Sequence, residues 1–543
     1  MPMSTPLLNR SKRVRSARYS IRRGAGGGRF LMARRRVLRG GDRISALPDD
    51  LLLAVLQRLD TRTALGTAVL SKRWVRLPGE LPSLDFRVGD ILPPRYHRWV
   101  LLRGRLYKGT HVQYKLGVLK DVLLPNIKRY ERRAMRALTG SLNRLLDADE
   151  ARARRRRVSR LRLEFFVTST TGCINRLIAK AIDAWGVEDL EAVAKPTFPI
   201  HPHRAVHAFP VHGLCKEPCA SRLKSIKLGG CALPPLHDYT TLTKLVLQDI
   251  PDSPAAAYVG LFTSCPQLQT LHLHNCRCSR DGGLDVVVDA PMSLITELVV
   301  DKCFSRMWLR ALPSLERLAS LDSKVIFESA SFPCLTHWNL AYDLGTRIQG
   351  FPQYFAKRLQ LDHFLGRTAD ITDLIIRFTG PDRWIVPSSS TLSSPLLPNL
   401  RRLLVAQVPP SWDVSWICLL LHTAPSLESI HIHVAAPCED EPGEEISWQP
   451  SKFRHHSLKE FVMAGFNGTE RQIHFVRFVV GMCTALCHVA MFKDGHAQDR
   501  GHWDWELVTQ RYSWPDKEKD VMLEQIMDGL SLSSIAPLQL LFA

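Results

Sequence analysis

Residues 44–77 read ISALPDDLLLAVLQRLDTRTALGTAVLSKRWVRL, and this stretch decides how the chain begins to fold. Pro48 suits the first turn of a helix, and Asp49 and Asp50 fall at its positive end. Leu51, Val55 and Leu59 recur at i, i+4 and i+8 with Leu52 and Leu56 beside them, which predicts one wide apolar stripe. Ala64, Leu65, Ala68 and Val69 make a second, shorter stripe. Ser71 is placed to cap a third helix that carries Trp74. Three short apolar helices in so few residues cannot close a core of their own, so the segment is expected to turn an apolar face to a partner.

On the N-terminal side, residues 1–42 hold 12 Lys/Arg and one acidic residue, with glycines and few apolar side chains. Such a segment cannot offset its ordering entropy and is expected to be a disordered basic tail. Three readings stay open for it: a solvated tail with no specific role, the commonest case; a nuclear import signal, through Arg34, Arg35 and Arg36 or through Arg154–Arg157; and an organellar transit peptide, ranked below import. On the C-terminal side, Pro78, Pro82, Pro93 and Pro94 mark an irregular connector, and residues 95–157 follow a basic, mostly helical pattern. The run Arg154–Arg157 reads as a solvated face. Of the formal charge of +21, residues 1–42 contribute +11 and residues 95–160 contribute +14, so the remainder is slightly acidic. A charge confined to two segments does not make the whole chain a nucleic-acid binder.

From about residue 158 a different pattern takes over. Segments of the form L-x-x-L-x-L recur at Leu223, Leu242, Leu268, Ile295, Leu335, Ile371, Leu400, Leu427, Leu458 and Leu486. Three extend to L-x-x-L-x-L-x-x-C, ending at Cys231, Cys276 and Cys303. That is the leucine-rich-repeat signature: each copy is one strand and a return, and only stacking of neighbours buries its apolar face. Residues 381–398, rich in serine and proline, read as an exposed loop.

Other constellations have bland readings. His201, His203, His207, His212, Cys215 and Cys219 lack the paired spacing of a structural zinc site, and no metal is expected there. His272/His274 and His431/His433 lie two apart on strands and read as binding surface rather than metal ligands. Cys231, Cys276 and Cys303 read as buried, inert thiols. Gly26, Gly27 and Gly28 lack the strand and helix that a phosphate-binding loop needs. With 13 cysteines and no apolar leader segment visible, reduced thiols in the nucleus or cytoplasm are expected. The apolar window 474–492 contains Arg477 and His488 and reads as core rather than a membrane span.

Leu47-Pro48-Asp49-Asp50-Leu51-Leu52 and Leu70-Ser71-Lys72-Arg73-Trp74 resemble the F-box motif of the plant F-box/leucine-rich-repeat family. Leu458-Lys459-Glu460-Phe461, Gly465-Phe466-Asn467-Gly468, Phe475-Val476-Arg477-Phe478 and Trp514-Pro515 resemble the FBD region that closes many of its members. Asp60 departs from the family pattern, standing where a proline is frequent. The resemblance implies an α/β chain in five parts. A basic tail (1–42) precedes an F-box (43–78) and a helical connector (79–157). An irregular leucine-rich-repeat solenoid with a curved parallel sheet (158–452) and an FBD-like C-terminal part (453–543) follow. It further implies a non-enzymatic substrate receptor of an SCF-type ubiquitin ligase, without cofactor. The F-box would bind a Skp-family adaptor, and through it cullin and RING subunits, by way of Leu47, Pro48, Leu51, Leu52, Leu56, Leu70 and Trp74. The repeats would hold a protein substrate. The alternatives are a nucleic-acid-associated protein using the basic segments, or an adaptor-binding scaffold that delivers nothing.

Overall fold

The structure is a computed structural model. It describes residues 44, 47–107, 123–150, 156–167, 172–196, 206–279, 285–303, 306–328, 332–342, 359–360, 370–378, 385–386, 397–408, 417–435, 454–509, 514–528 and 539–542. The tail at 1–42, the serine-rich stretch at 387–396 and the first part of the arginine run lie outside these residues. The fold is mixed α/β, with short helices near the N-terminus followed by a large parallel sheet. The chain divides into two units, Met1–Leu52 and Leu53–Ala543.

Among the described residues the sheet has 15 strands, all paired in parallel and arranged in chain order. Each of the ten L-x-x-L-x-L segments supplies one: Ser225–Gly229, Lys244–Gln248, Thr270–His274, Glu297–Asp301, His337–Tyr342, Asp373–Phe378, Arg402–Val408, Ser429–Val434, Glu460–Ala464 and His488–Phe492. Side chains alternate across a strand, so the second and third leucines of each segment share one face. Pairs such as Leu245 and Leu247, or Leu271 and Leu273, are fully buried there and form the core. Neighbouring strands run in step, Leu245 beside Leu271 and Leu271 beside Leu298, with a register shift between Val405 and Val408 where Arg402–Val408 meets Ser429–Val434.

The sheet starts earlier than the sequence reading placed it. Ser83–Arg87, within the segment read as an irregular connector, is the first strand and pairs with Arg160–Phe166. The remaining additions are Asp189–Lys195, Arg317–Leu321 and Gln539–Phe542. A three-stranded parallel sheet (Asp285–Asp289, Arg306–Ala311, Val325–Phe327) and an antiparallel hairpin (Gly495–Asp499, Trp505–Thr509) stand apart from the main ladder.

Strand exits share a device. Gly230, Asp249, Asn275, Lys302 and Asp322 each follow a strand in the left-handed region, with φ between 46° and 62°. Each backbone N–H then donates to a carbonyl at the end of the next strand, as from Asn275 to Asp301 at 2.7 Å and from Asp322 to Ala341 at 2.8 Å. Only at Gly230 does the turn bring a backbone so close that a Cβ would sit 1.9 Å from the Ala194 carbonyl oxygen. Beside these exits the three repeat cysteines are buried. The Cys303 thiol donates to the Leu273 carbonyl at 3.2 Å, and burial pushes the Cys231 thiol up to about 12.

Helix Leu124–Glu150 buries Ile127, Met135, Leu138, Leu142 and Leu146 along one stripe and leaves Arg129, Arg132, Arg133 and Arg136 exposed. Arg156 corrects the solvated-run reading. Its side chain is buried against Trp185, 5.5 Å from the ring centre, and faces Asp149, which also takes Lys180 and the Trp185 indole N–H. Burial is tolerated because the charge is compensated. The apolar window 474–492 is the end of helix Glu470–Met482 plus a strand; among the described residues no helix is long and apolar enough to cross a membrane.

Candidate functional site

The N-terminal helices form as their caps dictate. Helix α1 spans Asp49–Leu56 with both aspartates in its first turn, and Leu52 N–H donates to the Pro48 carbonyl at 3.1 Å. Helix α2 spans Thr61–Gly66. Asp60, the departure from the family pattern, is its cap: the carboxylate accepts from Thr63 N–H at 2.9 Å, and hydrogen bonds from the Thr63 side chain and then its N–H hold it below its usual pKa. Helix α3 spans Lys72–Arg76, and Ser71 accepts from Trp74 N–H at 3.4 Å.

The predicted contact residues separate into two sets. Leu51 and Leu70 are exposed at 53% and 64%, Pro48 is exposed and Leu47 half-buried. Leu52, Leu56 and Trp74 are 0%, 1% and 6% exposed. They are interior residues of this chain, not side chains offered to solvent. Val55, one turn along α1 from Leu51, is exposed, as are Leu59 and Val69. Val69 breaks the expected second stripe, whose Ala64 is buried. Thr61 fastens this region to the sheet: its hydroxyl accepts the Asp85 backbone N–H at 2.7 Å.

The second candidate surface is the sheet face opposite the leucine core. On the early strands it carries polar and charged side chains in cross-strand pairs, including Arg162 with Glu191 at 2.5 Å and Lys227 with Glu191 at 3.1 Å. In the middle of the sheet the same face is buried too: Val299, Ala319, Asn339, Ile375, Leu404 and Val462 have almost no exposure. The hairpin 495–509 lies over part of this region. Trp505 packs on Ile375, Leu404 and Ala406. Its indole N–H donates to His431 Nδ1 at 2.8 Å, and the Arg402 guanidinium lies 4.4 Å over its ring. Arg402 also bridges Asp373 on the sheet (3.1 Å) and Asp504 on the hairpin (2.9 Å). Arg377, buried, pairs with Asp499.

At the hairpin's tip, Asn339 Nδ2 donates to the His502 carbonyl at 2.8 Å, while Asn339 Oδ1 is buried with no partner among the described residues. The His502 ring stands edge-on to His272 at 5.6 Å and tilted to His274 at 6.2 Å. Burial, then the two neighbouring imidazoles, hold His502 below its ordinary pKa. His272 contacts Glu297 at 2.5 Å and His274 contacts Asp301 at 3.3 Å. Sequence reading paired His272 with His274; the third histidine comes from far along the chain and carries no local signal.

The other His/Cys constellation is dispersed. His201 and His203 lie outside the described residues. His207 is a core histidine, with Nε2 on Asn175 Oδ1 at 2.9 Å and its ring edge-on to Phe165 and Phe209. Cys215 is buried on Tyr239, whereas Cys219 is exposed.

Comparison with known proteins matches residues 44–78 to the F-box domain. This segment is an F-box domain, set in front of a parallel sheet built from leucine-rich segments. An F-box/FBD/LRR-repeat protein of Arabidopsis thaliana is 46% identical over 61 residues, 11% of this chain and 13% of the relative. An Arabidopsis F-box protein is 47% identical over 83 residues, 13% of this chain and 18% of the relative. Another Arabidopsis F-box/FBD/LRR-repeat protein reaches 58% over 45 residues, 8% and 10% of the two chains. The alignments fall in the F-box region, so the chain matches only 10% to 18% of these relatives' length.

Proposed function

We propose that this chain is a substrate receptor of an SCF-type ubiquitin ligase, working in the nucleus or cytoplasm. The F-box domain and its F-box relatives support a substrate-adaptor role of that type. The observation that carries the reading is the F-box itself, which leaves Leu51, Val55, Val69 and Leu70 in solvent although each is a large aliphatic side chain. Such exposure is characteristic of an interaction surface. In this reading those residues, with Pro48, bury themselves against a Skp-family adaptor, and Leu52, Leu56 and Trp74 support them from within. The adaptor would recruit cullin and RING subunits. The repeated strands form a leucine-rich-repeat solenoid whose open face takes a protein substrate. Catalysis is by proximity: a held target meets a ubiquitin-charged enzyme at raised effective concentration, with no bond chemistry by this chain.

The direct test is affinity capture of the full-length chain beside one lacking residues 44–77. Adaptor and cullin are expected with the first and absent from the second. Their absence from both would refute the reading.

A further inference from the structure

Three imidazoles from two separate parts of the fold meet over the sheet. His272 and His274 stand on one face of strand Thr270–His274, because residues two apart on a strand point the same way. His502 descends on them from the turn of the hairpin 495–509, and one ring nitrogen from each lies within 4.8 Å of the others. In a tetrahedral zinc site, Zn–N bonds of about 2.0–2.1 Å place ligand nitrogens about 3.4 Å apart. The cluster therefore lies within small side-chain rotations of a coordinating geometry. All three rings are half-buried, so they are screened from bulk water yet reachable.

The surroundings are those of a ligand set. A metal-bound histidine ordinarily offers its second ring nitrogen to a carboxylate, which fixes the ring and raises its basicity. Glu297 engages His272 Nε2 and Asp301 engages His274 Nδ1, leaving one ring nitrogen on each for a cation. Glu297 and Asp301 also bring negative charge beside a site whose three donors are neutral when they bind. Asn339 ties the His502 backbone down, its Nδ2 donating to the His502 carbonyl at 2.8 Å.

We propose that His272, His274 and His502 bind a divalent transition ion of the zinc class, and that the ion pins the hairpin tip to the open face of the sheet. Three imidazoles with a fourth position for water suit zinc; oxygen-preferring magnesium and calcium do not compete for such donors. The consequence is positional. The hairpin already rests on Ile375, Leu404 and His431 through Trp505, and the ion adds a second anchor at its tip. Metal occupancy would then set how much of the sheet face is covered. This inference needs only the sheet and the hairpin, and it stands whether or not the F-box engages an adaptor.

The test uses the full-length chain stripped of metal. Zinc binding is measured by equilibrium dialysis with elemental analysis for wild type, His502→Ala and His272→Gln, and hydrogen exchange is followed at residues 495–509. Wild type is expected to bind one zinc more than either variant, with at least a 100-fold gap in affinity at that site, and zinc is expected to slow exchange in the wild-type hairpin only. E297Q should weaken binding about 10–100-fold while keeping one equivalent. Equal zinc stoichiometry and affinity in wild type, His502→Ala and His272→Gln would overturn the proposal, since groups elsewhere in the chain would then hold the zinc. Cobalt in the wild-type protein gives an answer that no folding defect can confuse. Tetrahedral absorption without a thiolate-to-metal band is expected, and a thiolate band or no tetrahedral spectrum would overturn it.

Discussion

The Trp505 indole N–H donates to His431 Nδ1 at 2.8 Å, joining the hairpin to the sheet across 74 residues of chain. Indole can only donate, so His431 must leave Nδ1 unprotonated and carry its proton on Nε2, toward Glu460 and Ser429. The bond thus fixes a tautomer as well as a position. Trp505→Phe keeps the ring on Ile375 and Leu404 but removes the donor, and the expected result is hairpin amide exchange up to about tenfold faster, the equivalent of one net hydrogen bond. Trp505→Ala should open the hairpin far more. Hydrogen exchange resolved to residues 495–509 separates the two variants.

The strand-exit turns predict a graded series. Gly230→Ala would carry the left-handed penalty of about 1–2 kcal/mol and also drive a Cβ into the Ala194 carbonyl. Gly465→Ala meets the Val434 carbonyl oxygen at 2.4 Å, whereas at Gly501 nothing among the described residues lies within 4 Å. Chemical denaturation should rank the losses G230A, then G465A, then G501A, the last near 1 kcal/mol. A G501A loss equal to that of G230A would refute the close-approach explanation.

His207 makes stability depend on pH. Burial alone lowers its pKa from 6.5 to about 4, with Nε2 on Asn175. Between pH 6.5 and 4 the unfolded chain takes up a proton that the folded chain refuses, so stability rises with pH across that window. The contribution is complete above pH 6.5 and lost as pH falls through about 4, for a total of about 3 kcal/mol. His207→Gln should flatten the unfolding free energy over this range. An unchanged slope would show that other groups set it.

The link between the F-box and the sheet rests on Thr61. Its buried hydroxyl accepts the Asp85 N–H at 2.7 Å. Thr61→Val preserves shape and leaves that amide without its acceptor, a loss of about 1–3 kcal/mol. Thr61→Ser keeps the acceptor and should cost less. Thermal unfolding of the two variants is the check.

Much of this was legible in the chain, and the failures have physical causes. The ten L-x-x-L-x-L segments announced ten strands because a buried strand face needs leucines two apart. Leu315-x-x-Leu318-x-Ser320 escaped because Ser320 replaces the last leucine; it is buried only because it accepts the Trp338 indole N–H at 3.1 Å, a partner from the next strand. Leu81-x-x-Leu84-x-Phe86 fits the pattern but was masked by flanking prolines. The F-box helices were readable from their caps, yet periodicity could not separate exposed Leu51 from buried Leu52. The covered sheet face did leave a trace. Leu374-Ile375-Ile376 and Leu403-Leu404-Val405 are continuous apolar runs, where a strand open on one side alternates. That signal implies a cover without saying that residues 495–509 supply it.

The separation of Leu51 and Val55 from Leu52 tests the functional account most directly. Purified full-length chain should bind a Skp-family adaptor, and Leu51→Asp with Val55→Asp should weaken that binding at least 100-fold while leaving thermal unfolding unchanged, because both side chains already face water. Leu52→Asp should instead lower the unfolding temperature, since it puts a charge in the interior. A folded Leu51→Asp/Val55→Asp chain that binds the adaptor as tightly as wild type would contradict the account.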